Sequence, residues 1–260
     1  MQDRIFLIKI RVKLTILYYI FTLLQVTFWF IVSIIVLAVT YPFDKSRRWV
    51  HWCSEQICKL LFNTPFGLKR TIEGVENIEK GKSYVMVLNH NSGVDIFAAY
   101  KIPLNFRWVS KREVFRVPFM GPLLTIHGDI PIERGNPTEA MAKVLNLGKL
   151  WLGRGASVAI FPEGTRSKTG EINRFKMGAF NLAKEANAEI LPVVMTGTNK
   201  VFRKGWLVNW KNQVVIRVLK PIPAEEVAVT DVKEMAQKVR EQMVEELADL
   251  RTKVAAQRKK

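Results

Sequence analysis

A histidine and an aspartate five residues apart stand where an apolar stretch of the chain meets a helix-like one. Asn89 and His90 directly follow the stretch YVMVL, a polar turn covers 91–93, and Asp95 opens the helical pattern. On one regular helix residues five apart point in different directions, but across a turn the chain can fold back. The Asp95 carboxylate could then accept the His90 Nδ1 proton, which leaves Nε2 as a general base. Such a pair could activate a hydroxyl group of a substrate.

The same turn allows two other interpretations. A histidine in a turn beside a helix-capping aspartate produces the His-x4-Asp spacing without any catalysis. Ser92, in this turn, could itself be a nucleophile, but the Gly-x-Ser-x-Gly sequence of a nucleophile elbow does not surround it. We therefore set aside a serine hydrolase, while the catalytic and the capping interpretations both stay open on spacing alone.

A second polar loop follows the apolar stretch SVAIFP and suits an anion. The loop, 163–167, contains a glycine, two hydroxyl groups and an arginine. Arginine offers a forked donor to phosphate, and loop N–H groups can add to it. The residue order is not that of a Walker A loop. Lys111 and Arg134 end two other strand-like stretches and could add positive charge, although a lone basic residue is more often a solvated surface charge.

These loops need a scaffold, and strand-like and helix-like stretches alternate from about residue 68. Six stretches predict strands, at 83–89, 105–111, 129–134, 157–162, 189–197 and 214–223. Helical patterns lie between them, and a last one runs from 230 to about 256. This alternation predicts an α/β fold with a mixed or largely parallel sheet flanked by helices. Chain direction then places both polar loops at the carboxyl edge of the sheet, where α/β active sites form.

The N-terminal part of the chain is apolar in a different way. No charged side chain occurs from Leu14 to Phe43, and this run exceeds the roughly 20 residues that cross a bilayer as a helix. Basic residues flank it on both sides, although they prefer the cytoplasmic side of a membrane. A single crossing would leave one basic flank outside, whereas a re-entrant or in-plane segment would not. We predict membrane attachment by the hydrophobic segment 14–43 and leave both arrangements open.

A second, amphipathic helix is predicted at 46–62, where Trp49 and Trp52 suit a headgroup interface. His51 is interpreted as a polar position on this helix. The cysteines, Cys53 and Cys58, would point in different directions on it, so that neither a disulfide nor a metal pair is expected. We divide the chain into an N-terminal membrane-anchoring part, 1–67, and an α/β domain, 68–260.

Four segments together resemble the glycerolipid acyltransferase family, in its 1-acylglycerol-3-phosphate acyltransferase branch. The segments and the family's four blocks occur in the same order. The first, 89–95, is similar to the block N-H-x4-D, and FPEGTRS at 161–167 matches the third block as that branch has it. The second and fourth segments are 111–136 and 190–197. Four blocks in register make a chance resemblance very improbable.

The resemblance implies a reaction and a role for each matching residue. His90 would deprotonate the sn-2 hydroxyl of 1-acyl-sn-glycerol-3-phosphate, with Asp95 orienting its ring. The hydroxyl would attack an acyl thioester of acyl carrier protein or coenzyme A, forming phosphatidic acid without a covalent enzyme intermediate. The thioester is a co-substrate, and neither a cofactor nor a metal is expected. The residues implied to bind the acceptor phosphate are Lys111, Arg134, Glu163, Gly164, Thr165 and Arg166.

The implied substrates fit the rest of the sequence. Lipid substrates explain membrane attachment with an active site that faces the cytoplasm, and a net charge of +17 suits an acidic or phosphorylated donor. For the acyl chain we predict an apolar tunnel lined by Phe115, Phe119, Met120 and Leu123. Glycerol-3-phosphate or another lyso-lipid is an alternative acceptor. A module that binds anionic lipid or nucleic acid is a non-enzyme alternative, although no nucleic-acid motif is found.

Overall fold

The computed structural model describes residues 2–62, 69–133, 135–203, 207–209 and 212–257. The predicted boundary between the anchoring part and the α/β domain, at 67 and 68, lies outside these residues, and so does Arg134. The division into two domains therefore stays a prediction.

A seven-stranded sheet forms the centre of the α/β part. Its strands are β1 Lys69–Glu73, β2 Val85–Leu88, β3 Phe106–Lys111, β4 Ile130–Ile132, β5 Ser157–Ile160, β6 Ile190–Thr196 and β9 Gln213–Val218, in the spatial order β1-β9-β6-β2-β5-β3-β4. A separate short ribbon pairs β7 Phe202–Arg203 with β8 Leu207–Val208. Every neighbouring pair in the large sheet is parallel except β6 with β9, which is antiparallel. The predicted mixed, largely parallel sheet is confirmed.

Helices cover both faces of this sheet. They are α1 Gln2–Thr40, α2 Arg48–Phe62, α3 Val94–Ala99, α4 Met120–His127, α5 Pro137–Gly153, α6 Gly178–Glu185, α7 Ala224–Val229 and α8 Val232–Gln257. Short 3-10 turns lie at Val75–Asn77, Arg112–Arg116 and Thr198–Lys200. The last predicted strand was too long: β9 ends at Val218, because Pro221 and Pro223 have no N–H to donate to a ladder. β1 was missed, since its sequence KRTIE lacks an apolar alternation.

The central strand β2 is fully buried because both of its faces are covered. Val85 and Val87 pack into a core with α5, α6 and α8, while Met86 and Leu88 pack into a second core with α3 and the end of α2. Successive side chains of a strand point to opposite faces, and a run without polar residues is therefore what a doubly covered strand requires. The cores hold the sheet edge rigidly in place.

Strand register decides where the polar loops meet. Val87 of β2 lies opposite Ile160 of β5 on one side and opposite Pro192 of β6 on the other. These strands run parallel, so that the segments after β2 and β5 leave the sheet at the same edge. The segment 89–95, which we call the histidine turn, and the segment 163–167, which we call the arginine loop, therefore come together, as the sequence predicted.

Helices α1 and α2 form an antiparallel hairpin. The Gln25 side-chain amide donates to the Ile57 carbonyl at 3.3 Å, and the rings of Trp29 and Trp52 meet edge to face at 5.5 Å. α1 is long and apolar enough over 12–40 to cross a membrane, and only 11% of its most apolar window is buried. A core helix of a globular domain would be mostly buried. Helix α1 differs from such a helix, because most of its apolar surface is exposed.

A buried polar cluster joins this hairpin to the sheet. The His51 Nδ1 atom lies 2.9 Å from His127 Nε2, and His127 Nδ1 lies 2.7 Å from the Asp129 carboxylate. Arg107, fully buried, donates to the backbone carbonyls of Ser46 and Arg47 in the turn before α2. Burial lowers the pKa of both histidines and raises the pKa of Asp129 to about 7. The interpretation of His51 as a plain polar helix position was therefore wrong.

Candidate active site

The turn after β2 brings His90 and Asp95 into direct contact. The His90 Nδ1 atom lies 2.8 Å from Asp95 Oδ2. The same oxygen accepts hydrogen bonds from the backbone N–H groups of Asn91 at 2.6 Å and Ser92 at 2.7 Å. Asp95 is fully buried in the first turn of α3, whereas the His90 side chain keeps 14% of its surface exposed. The carboxylate thus both caps the turn and orients the imidazole, so that the two interpretations of the spacing are compatible.

With Nδ1 on the carboxylate, the other ring nitrogen is left for chemistry. Among the described residues His90 Nε2 has no hydrogen-bond partner, and the side chain reaches the surface. An imidazole that donates from Nδ1 presents an unprotonated Nε2, which is the form that a general base needs. This arrangement can take a proton from a hydroxyl that binds beside the ring.

Two aromatic rings fix the plane of the imidazole. The His90 ring stacks on Phe161 with centroids 4.0 Å apart and planes 14° apart, and Phe161 stacks in turn on Trp108 at 5.0 Å. Stacked rings leave the imidazole one orientation in which Nδ1 still faces Asp95. This column was not predicted from sequence, because Trp108 lies on β3 and Phe161 directly follows β5, and both look like ordinary core residues.

Glu163 is committed to the turn and not to an anion. Its Oε1 atom accepts from the His90 backbone N–H at 2.7 Å, and Oε2 accepts from the Asn173 backbone N–H and side-chain amide at 2.9 Å each. The residue is 5% exposed, and burial raises its pKa against the effect of these hydrogen bonds. A buried carboxylate whose oxygens already accept three bonds has no donor to offer a phosphate. The geometry therefore does not support the predicted direct contact.

Two residues of the same loop face solvent, whereas Ser167 at its end is buried. Thr165 and Arg166 are exposed, and no carboxylate of the described residues pairs with Arg166. Gly164 adopts a positive φ of 71°, and the Lys176 side chain lies so close that a Cβ at position 164 would stand 3.0 Å from its Nζ. Arg166 and Lys176 therefore remain available to an anion at the edge that also holds His90.

Lys111 and Arg134 are two further predicted phosphate ligands. Lys111 ends β3 at this edge, but its Nζ atom pairs with Glu113 at 2.9 Å. The Lys111 side chain is 41% exposed. A surface pair of this kind breaks at little cost, which leaves Lys111 free to turn toward a ligand. Arg134 lies outside the described residues. No group of three or more His, Cys, Asp or Glu side chains suited to a metal occurs among those residues.

The acyl tunnel predicted at the start of α4 is not enclosed. Phe119 and Met120 are 57% and 40% exposed, while Phe115 and Leu123 are partly buried. The turn that carries Phe119 is tight, since a Cβ at Gly121 would lie 1.9 Å from the Phe115 carbonyl oxygen. In the described structure Phe119 and Met120 form part of a surface, and a tunnel lined by all four residues stays a prediction.

The C-terminal helix holds the arginine loop in place. Arg240 of α8 donates to the carbonyls of Ile172 at 2.8 Å and Asn173 at 3.0 Å. The Ser167 backbone N–H donates to the His90 carbonyl at 2.7 Å, which ties the two polar loops to each other. The loop, the turn and α8 thus form one hydrogen-bonded unit around the imidazole.

Comparisons with known proteins agree on one family. The family model described as Acyltransferase matches residues 69–196. The 1-acyl-sn-glycerol-3-phosphate acyltransferase of Saccharomyces cerevisiae is 34% identical over 202 residues, 76% of this chain and 65% of that protein. The human enzyme of that name, alpha form, is 29% identical over 72% of this chain and 66% of its own length. The chain spans between about half and two thirds of the length of the curated relatives it matches.

A solved structure has the same fold. The 1-acyl-sn-glycerophosphate acyltransferase PlsC from Thermotoga maritima superposes with a TM-score of 0.67, covering 90% of this chain and 98% of its own. At 22% identity this likeness shows the architecture alone. The shared architecture agrees with the predicted fold class.

Proposed function

The chain belongs to the acyltransferase family, and from this premise we propose that it transfers a fatty acyl group to the sn-2 hydroxyl of 1-acyl-sn-glycerol-3-phosphate. The product is phosphatidic acid, and the donor is an acyl thioester of acyl carrier protein or coenzyme A, bound as a co-substrate. The observation that carries the proposal is the oriented His90 imidazole, 2.8 Å from Asp95, at the same sheet edge as the exposed Arg166. The names of the relatives supply the acceptor.

The proposed reaction needs one base and no enzyme nucleophile. His90 Nε2 takes the proton of the acceptor hydroxyl as its oxygen attacks the thioester carbonyl carbon. The buried Asp95 carboxylate stabilises the imidazolium that forms, because the opposite charge is 2.8 Å from Nδ1. The tetrahedral intermediate then breaks its carbon–sulfur bond, and the departing thiolate takes the proton back from Nε2. The acyl group is never attached to the protein.

Binding of the acceptor uses the exposed cations. Arg166 can hold the phosphate through a forked pair of hydrogen bonds. Further donors to the phosphate at the same edge of the sheet are Lys176, Thr165 and Lys111. The acceptor and product are lipids, and the exposed apolar helix α1 supports catalysis at a membrane whose cytoplasmic face carries the donor. In this proposal Glu163 positions the turn and does not touch the phosphate.

The substrate assignment is tested by steady-state transfer of a labelled acyl group in detergent, with 1-acyl-sn-glycerol-3-phosphate and glycerol-3-phosphate compared as acceptors. We expect the lysophosphatidate to have the higher kcat/KM. Arg166→Ala should raise KM for this acceptor about 10- to 100-fold, since a charge-assisted forked pair contributes about 1.5 to 3 kcal/mol. Arg154→Ala, which removes a cation next to Trp151 on α5, is the matched control. Preference for glycerol-3-phosphate, or an unchanged KM in Arg166→Ala, would refute the assignment.

Glu163→Gln separates a positioning role from phosphate binding. The glutamine Nε2 group would face an N–H donor, either that of His90 or those of Asn173, so that at least one bond is lost and the turn shifts. We expect kcat to fall about tenfold or more, because small displacements of a reacting group reduce rates steeply. KM for the acceptor should change little. A rise in KM with kcat intact would instead show that Glu163 acts on the acceptor.

A further inference from the structure

Residues 117–120, which we call the apolar turn, expose an unusual amount of apolar surface. Val117, Phe119 and Met120 are 45%, 57% and 40% exposed, and Pro118 between them is exposed as well. Single exposed apolar side chains are common on proteins, but a contiguous group marks a contact with another apolar phase or partner. The turn belongs to the α/β part of the chain, outside the α1–α2 hairpin.

The apolar turn is built to hold this shape. The Gly121 N–H donates to the Val117 carbonyl at 2.8 Å, and any side chain at 121 would collide with the Phe115 carbonyl, since a Cβ would lie 1.9 Å from its oxygen. Phe119 has a φ of +63°, which is costly for a bulky residue. A tight, strained turn that displays a phenylalanine to the outside is not explained by packing of the core.

The surroundings of the turn identify what it contacts. The helix that follows it, α4, packs against both α1 and α2, and Arg47 Nη1 donates to the carbonyls of Thr125 at 3.1 Å and Ile126 at 2.9 Å at its end. Tyr41 and Phe43, at the tip of the hairpin, are 63% and 68% exposed. The turn at the start of α4 is therefore connected through this helix to the hairpin that carries the exposed apolar surface of α1.

Charge around the turn agrees with a lipid headgroup region. Arg116 is exposed in the 3-10 turn directly before it, Arg112 of the same turn is exposed and pairs with Glu133 at 3.0 Å, and Lys45 follows the exposed end of α1. Basic side chains beside exposed aromatic and aliphatic ones are the pattern of segments that sit at the boundary of headgroups and acyl chains. A protein partner would not require the continuity with α1.

We propose that the apolar turn inserts into the same bilayer leaflet that α1 contacts, as a second membrane attachment carried by the catalytic part itself. Lys111 is the last residue of β3 and lies on the edge of the sheet that also holds His90. The apolar turn begins six residues after it. Two attachments fix the tilt of the sheet, so that this edge faces the lipid surface from which the acceptor comes. The inference rests on the proposed function only in its membrane location.

An environment-sensitive fluorophore on residue 119 tests the inference. The full chain with Cys53→Ala and Cys58→Ala, which removes two buried free thiols, receives Phe119→Cys and is placed in vesicles of phosphatidylcholine and phosphatidylglycerol. Leu24→Cys on α1, 66% exposed, and Val229→Cys at the end of α7, 84% exposed, are the matched controls. Met120→Cys replaces Phe119→Cys if the latter lowers the thermal unfolding midpoint.

The inference predicts that labels at 24 and 119 are quenched several-fold more strongly by nitroxide lipids than by aqueous iodide. The label at 229 should show the reverse. A label at 119 that behaves like the one at 229, while that at 24 is in lipid, would overturn the inference and leave the proposed function untouched. Aqueous behaviour at all three positions would overturn the inference together with the membrane location, while the acyl transfer assay in detergent would still stand on its own.

Discussion

Replacing His90 with alanine is expected to lower kcat for acyl transfer about 10²- to 10⁴-fold, with little change in binding of the acceptor. A positioned general base contributes an acceleration of this size, and no other described side chain can take over at this position. Arg166 and its neighbours do not depend on the imidazole, so that acceptor binding should remain. The measurement is steady-state kinetics of phosphatidic acid formation.

His90→Phe is the matched control for this prediction. The imidazole stacks on Phe161 at 4.0 Å, so that alanine would remove packing as well as the base. Phenylalanine keeps a ring in the column but has no nitrogen to accept a proton. Equal loss of kcat in the two variants would show that proton transfer is what matters. Recovery of activity in His90→Phe would mean that the ring serves only to pack the turn.

Asp95→Asn should lower kcat about 10²-fold or more, which is the second of the two large effects that we expect. The amide oxygen can replace Oδ2 and still accept from His90 Nδ1 and from the N–H groups of Asn91 and Ser92, so that the turn keeps its shape. What disappears is the negative charge that stabilises the imidazolium in the transition state. KM should change little, because the acceptor does not touch Asp95.

Asp95→Ala distinguishes charge from geometry. Alanine leaves the two N–H groups of the turn without their acceptor, which costs stability as well as catalysis. We expect a lower thermal unfolding midpoint in Asp95→Ala than in Asp95→Asn, and a similar or lower kcat. Full activity in Asp95→Asn would show that the carboxylate only caps α3, and the capping interpretation of the His-x4-Asp spacing would then be sufficient.

Local sequence was enough to predict that the two polar loops meet at one edge of the sheet. β2 and β5 are continuous apolar runs that end in polar residues, and parallel strands bring such ends to one edge. His90 and Asp95 are close in the chain, so that one turn decides their contact. The mixed sheet followed from the same alternation of strands and helices. Short-range pattern and chain direction therefore carry this part of the fold.

Contacts between distant residues could not be predicted in the same way. Glu163 looked like part of an anion loop, because sequence shows neither its burial nor the bond to Asn173 ten residues on. The sequence of the predicted strand 105–111 does not show that Arg107 is buried against the turn before α2, 60 residues away in the chain. Burial of a charged side chain depends on partners that only the tertiary fold supplies.

The Phe119 segment shows a third kind of limit. Its apolar residues predicted an interior tunnel, because apolar side chains are usually interior. In the structure the strained turn at Phe119 displays Phe119 and Met120 on the surface. Apolar composition indicates that water is avoided, and it does not say whether protein or lipid replaces the water. The position of a turn relative to a membrane helix has to be seen in the fold.

The most direct test of the central claim is a single-turnover experiment with the purified chain in detergent and an acyl thioester labelled in its acyl group. Without acceptor, we predict that no label stays on the protein after denaturation. On addition of 1-acyl-sn-glycerol-3-phosphate, the label should appear in phosphatidic acid, at a rate that His90→Ala lowers at least about 100-fold. Labelled protein that passes its acyl group to the acceptor, or an unchanged rate in His90→Ala, would contradict the mechanism in which His90 activates the substrate hydroxyl.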